Sequence, residues 1–527
     1  MGETCILVCS LLAVLILATR AQAQDTRAES GDRFGNAVAR GDFNGDGFQD
    51  LAVGVSSEDI RNVPAPSIAN AGAVEVIYGS IYGLRATNRQ FWQQGSAGLN
   101  DAAEADDAFG QSLATGDFNQ DGYDDLAIGV PYEDVRDIVD AGAVHVLYGS
   151  LTGLSATSVP DQFWHQDRPG IPERAEYLDS FGYTLTSADF NADGYDDLAI
   201  SSLEENGAGA VHIIHGSATG LSADAVPAQL WLQGASGLGD VPEDYDWFGV
   251  SLAAADFNGD GYADLAIGAA GENTSRGIVQ VLHGSSVGLS ATIISDQVWA
   301  QGSGGVPGQA ATSDFFGRSL AAGDFNNDRY GDLAVGVPGE DVDGMQATGE
   351  VIVLYGSAFG LSTTVVRPAQ LWRQGDAFGV LDAAEPGDYF GWALTTGDFN
   401  GDGFGDLAIA ADREDLGAVS DAGAVNVLYG TATGLSSASD QFWHQDSNGL
   451  EGTIGIADVF GRSLTAGDFD RNGADDLAVG VPHEDLTSAS GILVDTGAVN
   501  VIYGSVYGLT AIGDQMWTQT FILPPKP

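Results

Sequence analysis

Apolar and polar positions alternate in short runs along this chain, and the same order of runs returns seven times. The second copy shows the pattern. Residues 111–116 follow the pair Phe109-Gly110 and alternate as a half-buried strand does. A nine-residue acidic loop from Asp117 to Asp125 comes next. Residues 126–130 are an apolar strand ended by Pro131, which cannot continue a hydrogen-bonded ladder. Residues 142–148 form a third apolar run, a glycine-containing turn reverses it at 149–154, and residues 162–166 read as a fourth strand.

Fixed landmarks keep the copies in register. Phe-Gly pairs stand at Phe34, Phe109, Phe181, Phe248, Phe316, Phe390 and Phe460, each eight residues before its acidic loop. Trp92, Trp164, Trp231, Trp299, Trp372, Trp443 and Trp517 each sit within Gln-x-Trp-x-Gln. Four short strands per unit and seven units predict an all-β fold, a seven-bladed β-propeller. The blades fall at about residues 30–94, 105–166, 177–233, 244–301, 312–374, 386–445 and 456–519, within one domain spanning 24–520. Each blade lacks cover for its two faces, so neighbours must supply it, with the recurring Trp and Phe filling the space between. Two closures fit equally: seven contiguous blades, or a ring completed by one terminal strand joining the other end.

Composition agrees and adds a constraint. The 74 glycines are about twice ordinary usage and mark many tight turns. The charge is lopsided, with 74 acids, 19 bases and a net charge of −55. Nucleic acid is excluded as a partner, because phosphate binding needs a basic face. The only cysteines, Cys5 and Cys9, lie in the apolar run 5–18, which is followed by Ala21-Gln22-Ala23. That run is short for a bilayer span and reads as a signal peptide over 1–23, although Glu3 stands where a basic residue is usual. The expectation is a secreted chain without cysteine or membrane span, ending in a Pro-rich tail at 521–527.

The acidic loop carries the chemistry. Oxygen-bearing residues at loop positions 1, 3, 5 and 9, with a backbone carbonyl at position 7, suit Ca²⁺, which takes roughly 6–8 oxygen ligands. In the first loop these are Asp42, Asn44, Asp46, Phe48 and Asp50, with Gly47 allowing the sharp turn. The second loop supplies Asp117, Asn119, Asp121, Tyr123 and Asp125. The third has Asp189, Asn191, Asp193, Tyr195 and Asp197, and the fourth Asp256, Asn258, Asp260, Tyr262 and Asp264. The fifth has Asp324, Asn326, Asp328, Tyr330 and Asp332, but Arg329 replaces the glycine and brings strain and positive charge. The sixth has Asp398, Asn400, Asp402, Phe404 and Asp406. The seventh swaps its middle pair, giving Asp468, Asp470, Asn472, Ala474 and Asp476. Several Ca²⁺ ions, up to seven, are expected, with a structural role: each neutralises three carboxylates and pins the hairpin between strands one and two. The competing reading is a metal-free turn held by Asx hydrogen bonds.

Two more acidic positions recur in every copy. Asp32, Asp107, Asp179, Asp246, Asp314, Asp388 and Asp458 each precede a Phe-Gly by two residues. Glu58, Glu133, Glu205, Glu272, Glu340, Glu414 and Glu484 stand just past strand two. Strand order puts both sets on the face opposite the loops. They form either a carboxylate rim for a ligand or a set of caps and blade latches, and strict recurrence favours the latter. Variation between blades is the better pointer to binding, which directs attention to the long connections 55–71 and 481–496.

The Phe-Gly opening, the Asp-x-Asn-x-Asp-Gly-x-x-Asp loop and the strand ends Gly129-Val130-Pro131, Gly336-Val337-Pro338 and Gly480-Val481-Pro482 resemble the FG-GAP repeat family, known from the head of integrin α-subunits. The resemblance covers about residues 30–520, although blades one, three, four and six lack the proline. It implies a calcium-bearing propeller with ligand contacts on the face away from the loops. It also suggests a free-standing secreted member without the leg domains and membrane span of an integrin subunit.

Arg40-Gly41-Asp42 reads as coincidence, because Asp42 is a metal ligand and Arg40 a strand position. Asn273-Thr274-Ser275 is a glycosylation sequon on a surface loop. The seven histidines share no position across all blades and form no evident triad, and the repeat tryptophans read as core. The expected function is therefore a secreted, calcium-binding, non-enzymatic adhesion or ligand-binding module for an extracellular protein or glycan. A propeller lectin is the alternative, and a secreted hydrolase a more distant one.

Overall fold

The computed structural model describes residues 28–60, 67–224, 226–235, 237–375, 379–488 and 491–519. The expected signal peptide and C-terminal tail lie outside them. Seven four-stranded antiparallel sheets follow one another along the chain, and a small two-stranded hairpin is the only other sheet among the described residues. The first blade pairs Ala37–Gly41, Asp50–Val55, Ala73–Tyr78 and Arg85–Trp92 in chain order. Strand one of every blade lines a central channel. The acidic loop is the hairpin joining strands one and two, closed in blade one by the pair Gly41↔Asp50.

Strand two is buried along its whole length in every blade. It lies between strands one and three within its sheet, and neighbouring blades cover both faces. This explains its small residues. A Cβ on Gly54 would lie 2.2 Å from the Gly110 carbonyl of the next blade, so alanine there would push the blades apart. The large side chains form seven clusters, each spanning one blade interface. Phe34 of blade one packs with Phe469, Val499 and Tyr503 of blade seven, as Phe109 of blade two packs with Val74, Val76 and Tyr78 of blade one. A fully buried Phe contributes about 2–3 kcal/mol.

The closure question is answered by topology. The seventh blade is Leu464–Gly467, Asp476–Val481, Ala498–Tyr503 and Thr510–Trp517, so every blade is contiguous and no strand is exchanged. Blade one meets blade seven through a parallel bridge Phe34↔Gly497, the same contact that Gly72↔Phe109 makes between blades one and two.

Strand four has eight residues in blades one, six and seven and three in blades two to five. Pro160, Pro227 and Pro368 precede the short strands of blades two, three and five and cannot donate to the ladder. Blade four stops short without a proline. Within the connection 481–496, Leu486–Ser488 pairs with Gly491–Leu493 as a hairpin, where the sequence suggested only a loop. The sequon segment Glu272–Ser275 is a single tight turn with Asn273, Thr274 and Ser275 at positive φ and Asn273 exposed.

Candidate metal loops and the opposite face

All seven acidic loops share one hydrogen-bond scheme built from their own side chains. The position-1 Asp accepts the position-6 N–H at 2.8–2.9 Å, as Asp42 does from Gly47 and Asp117 from Gly122. The position-9 Asp is fully buried and accepts two N–H groups: Asp50 takes Phe43 N–H at 3.0 Å and Gly79 N–H at 2.9 Å. The second bond ties the loop to the turn after strand three. The position-2 Phe, Phe43 in the first loop and its six equivalents, is fully buried and pins the loop to the core. Asn44 Oδ1 and Asp46 Oδ1 accept N–H groups two residues on, closing Asx turns.

These bonds do not exhaust the oxygens. An ionised carboxylate has about four lone-pair sites. Carboxylate oxygens of Asp468, Asp470 and Asp476 lie within 4.8 Å of one another in the seventh loop. In the first and fifth loops Asn44 and Asn326 Nδ2 stand 3.5 Å from the Oδ2 of Asp50 and Asp332, so positions 3 and 9 meet there too. Burial, with repulsion from the other acids of the same loop (positions 1 and 5, or 1 and 3 in the seventh), pushes Asp50, Asp332, Asp406 and Asp476 up to about 8 and Asp125 up to about 9, against backbone hydrogen bonds that act the other way. Such a site lacks a counter-charge. A hard divalent cation would supply one, and an all-oxygen donor set fits Ca²⁺.

The loops are not equivalent. Arg329 sits at φ 75°, in the left-handed region its glycine counterparts occupy, with its N–H bonded to Asp324 at 2.8 Å. In blades three and four a histidine replaces the tyrosine that ends strand three. His215 Nδ1 lies 3.0 Å from Asp197 Oδ2 and His283 Nδ1 3.2 Å from Asp264 Oδ2. These two position-9 residues therefore have a histidine partner where the other five blades place a tyrosine. The sequence had not linked these histidines to the loops; their shared offset in two blades was the available signal.

On the opposite face the recurrent acids are caps and latches. Each Asp before a Phe-Gly accepts the N–H of the residue three positions earlier, as Asp107 does from Glu104 at 2.6 Å. Each Glu past strand two accepts the second Gln of the preceding blade's Gln-x-Trp-x-Gln at 2.5–3.0 Å, from Gln94–Glu133 round to Gln519–Glu58. The first Gln of that motif donates to a leucine carbonyl of the next blade, from Gln90–Leu154 round to Gln515–Leu84. In five blades a strand-three tyrosine accepts that leucine's N–H, as Tyr503 does from Leu84 at 3.1 Å. The repeat tryptophans lie in or beside the interface clusters. Burial and neighbouring acids raise several of these carboxyls: Glu133 to about 10, Glu414 to about 9 and Asp32 to about 8.

Asymmetry concentrates elsewhere, in the residue after each Phe-Gly. These residues are Asn36, Gln111, Tyr183, Val250, Arg318, Trp392 and Arg462, and all seven line a channel cavity of about 400 Å³. The signal was in the sequence as a variable column flanking an invariant pair. Of the long connections favoured by the sequence, residues 61–66 and 489–490 lie outside the described residues.

A model of the FG-GAP repeat family matches residues 34–77, 109–147, 181–214, 248–282, 316–354, 390–428 and 460–502, more than half of the chain. Phosphatidylinositol-glycan-specific phospholipase D of Rattus norvegicus is 36% identical over 166 residues, 31% of this chain and 18% of that protein. Integrin alpha-3 of Cricetulus griseus is 34% identical over 178 residues, 33% of this chain and 15% of that protein. Integrin alpha-5 of Xenopus laevis is 29% identical over 280 residues, 51% and 23% respectively. The chain thus spans less than a quarter of the length of each of these three relatives. The rhamnogalacturonan lyase PL11 structure of Bacillus licheniformis aligns with a TM-score of 0.40 at 10% identity, covering 92% of this chain and 74% of that one. No helix among the described residues is long and apolar enough to cross a membrane.

Proposed function

Because the chain belongs to the FG-GAP repeat family, we infer that it is a calcium-stabilised propeller working outside the cell as a non-enzymatic ligand-binding module. The observation that carries this reading is the acidic loop repeated seven times, whose buried position-9 carboxyls are raised by burial and neighbouring acids and whose Asp468, Asp470 and Asp476 oxygens converge in the seventh copy. Ca²⁺ would be held by the side chains at loop positions 1, 3, 5 and 9, and would supply charge neutralisation and rigidity, not chemistry. Its place on one face leaves the other face for ligands.

The phospholipase D in one relative's name belongs to a protein of which this chain spans 18%, and that activity is not carried over. The repeat tryptophans pack at blade interfaces, which supports a protein ligand over a sugar stacked on them. Thermal melts of the purified protein in calcium and in EDTA test the staple role. A large loss of melting temperature in EDTA, restored by calcium and not by magnesium, is expected. Identical melts in both would refute it.

A further inference from the structure

The channel mouth on the face away from the loops gathers positive charge in a chain with 19 basic and 74 acidic residues. Arg318 and Arg462 both stand against one indole, with Cζ 4.6 and 4.5 Å from the Trp392 ring centre. Arg462 bonds Asp412 Oδ2 at 3.0 Å. The Arg318 guanidinium has no hydrogen bond or ion pair among the described residues, although Asp412 also attracts it, and both arginines line the cavity. A guanidinium carries five N–H donors and no acceptor. Two of them crowded on one ring repel each other, and a charge walled by protein is costly unless paired. Trp392 compensates in part through its π face.

The cavity has a second, apolar side. Tyr183 and Val250 line it and pack with Trp247 and Phe315 over buried Leu203 and Ala270. Trp247 and Phe315 stack at 6.3 Å with 15° between their planes. A volume of about 400 Å³ suits a small molecule or a single side chain. The net charge of −55 disfavours an acidic macromolecule but not one isolated anionic group.

We propose that the channel mouth binds a small organic carboxylate, held by the guanidinium groups of Arg318 and Arg462 with its apolar body on the Tyr183–Val250 side. Arg suits this task, since its planar fork matches a carboxylate in two parallel bonds. The proposal deepens the ligand-binding reading and rests on it. The carboxylate can come from a free acid or from the C-terminus of a partner chain.

Titration calorimetry in calcium buffer at fixed ionic strength tests this. One arm uses benzoate against benzyl alcohol and benzylamine; the other uses the peptide Gly-Gly-Phe against its C-terminal amide. Saturable binding of benzoate or the free-acid peptide is expected, with the neutral and cationic analogues at least about tenfold weaker. The tighter of the two acids identifies the source. Arg318→Gln breaks no ion pair and is expected to weaken binding about tenfold or more. Arg136→Gln, an exposed outer-edge charge, is expected to leave it unchanged. No saturable binding in either arm, equal binding of benzylamine, or full affinity in a folded Arg318→Gln protein would overturn the proposal. Melts in calcium and EDTA run on the same samples report the staple role separately, so the two ideas can fail independently.

Discussion

Glu414 provides a sensitive test of whether the carboxylates opposite the loops are latches. It is fully buried, and its Oε2 accepts Gln374 Nε2–H of the preceding blade at 2.6 Å. Burial, then repulsion from Asp388, raises it from 4.5 to about 9. The folded protein therefore holds this proton at neutral pH, while the unfolded chain releases it. A raised folded value means the stability contribution is complete below about pH 4.5 and is lost as pH rises toward 9. Gln is isosteric and uncharged, so Glu414→Gln removes the pH-dependent penalty and keeps an acceptor for Gln374. At pH 7.5 the interval above the unfolded value sets a ceiling of about 4 kcal/mol. Local relaxation in the pocket brings the expected gain to about 2 kcal/mol. Urea unfolding of wild type and variant in constant calcium, at pH 5, 6.5 and 8, measures it. The variant should match wild type at pH 5 and exceed it by about 2 kcal/mol at pH 8. Destabilisation that grows with pH would mean the ionised carboxylate is the functional form, and the latch account would fail.

Arg329→Gly relieves the left-handed strain in loop five and should stabilise the protein by about 1 kcal/mol in calcium; a lower denaturation midpoint would contradict this. Tyr503→Phe removes the one acceptor of Leu84 N–H among the described residues, at the closing interface, and should cost about 2 kcal/mol. Tyr355→Phe should cost about half as much, because Gln370 Oε1 also accepts Leu435 N–H at 3.1 Å. Equal losses in urea unfolding would count against that reading. Asp125→Asn should lower calcium stoichiometry by one and destabilise the protein in calcium. In EDTA at pH 8 it should be neutral or stabilising, since Asp125 there is a buried acid raised to about 9; destabilisation in both buffers would mean the residue serves the fold alone.

The repeat, the strand order and the loops were legible in the sequence because each recurs at fixed offsets, and an offset survives whatever the tertiary packing does. Gln-x-Trp-x-Gln was visible as a motif but not as a latch. Its two glutamines bond the next blade, at Leu154 and Glu133 for blade one, and no local pattern encodes a partner some 40–60 residues away. Closure was open because contiguous and exchanged rings leave the same residues in the same order; only pairing of Thr510–Trp517 with Ala498–Tyr503 distinguishes them. The channel mouth was missed for the opposite reason. Arg318, Trp392 and Arg462 come from three consecutive blades and meet only once those blades pack side by side. Recurrence therefore reported the scaffold, and the variable column beside it held the candidate ligand site.

Calorimetric titration of the purified protein with calcium tests the central claim most directly. The account predicts four or more equivalents bound, consistent with roughly 6–8 oxygens per ion drawn from each loop. Fewer than about two equivalents would contradict it, and would make the acidic loops Asx-bonded turns whose carboxylates serve the fold without metal.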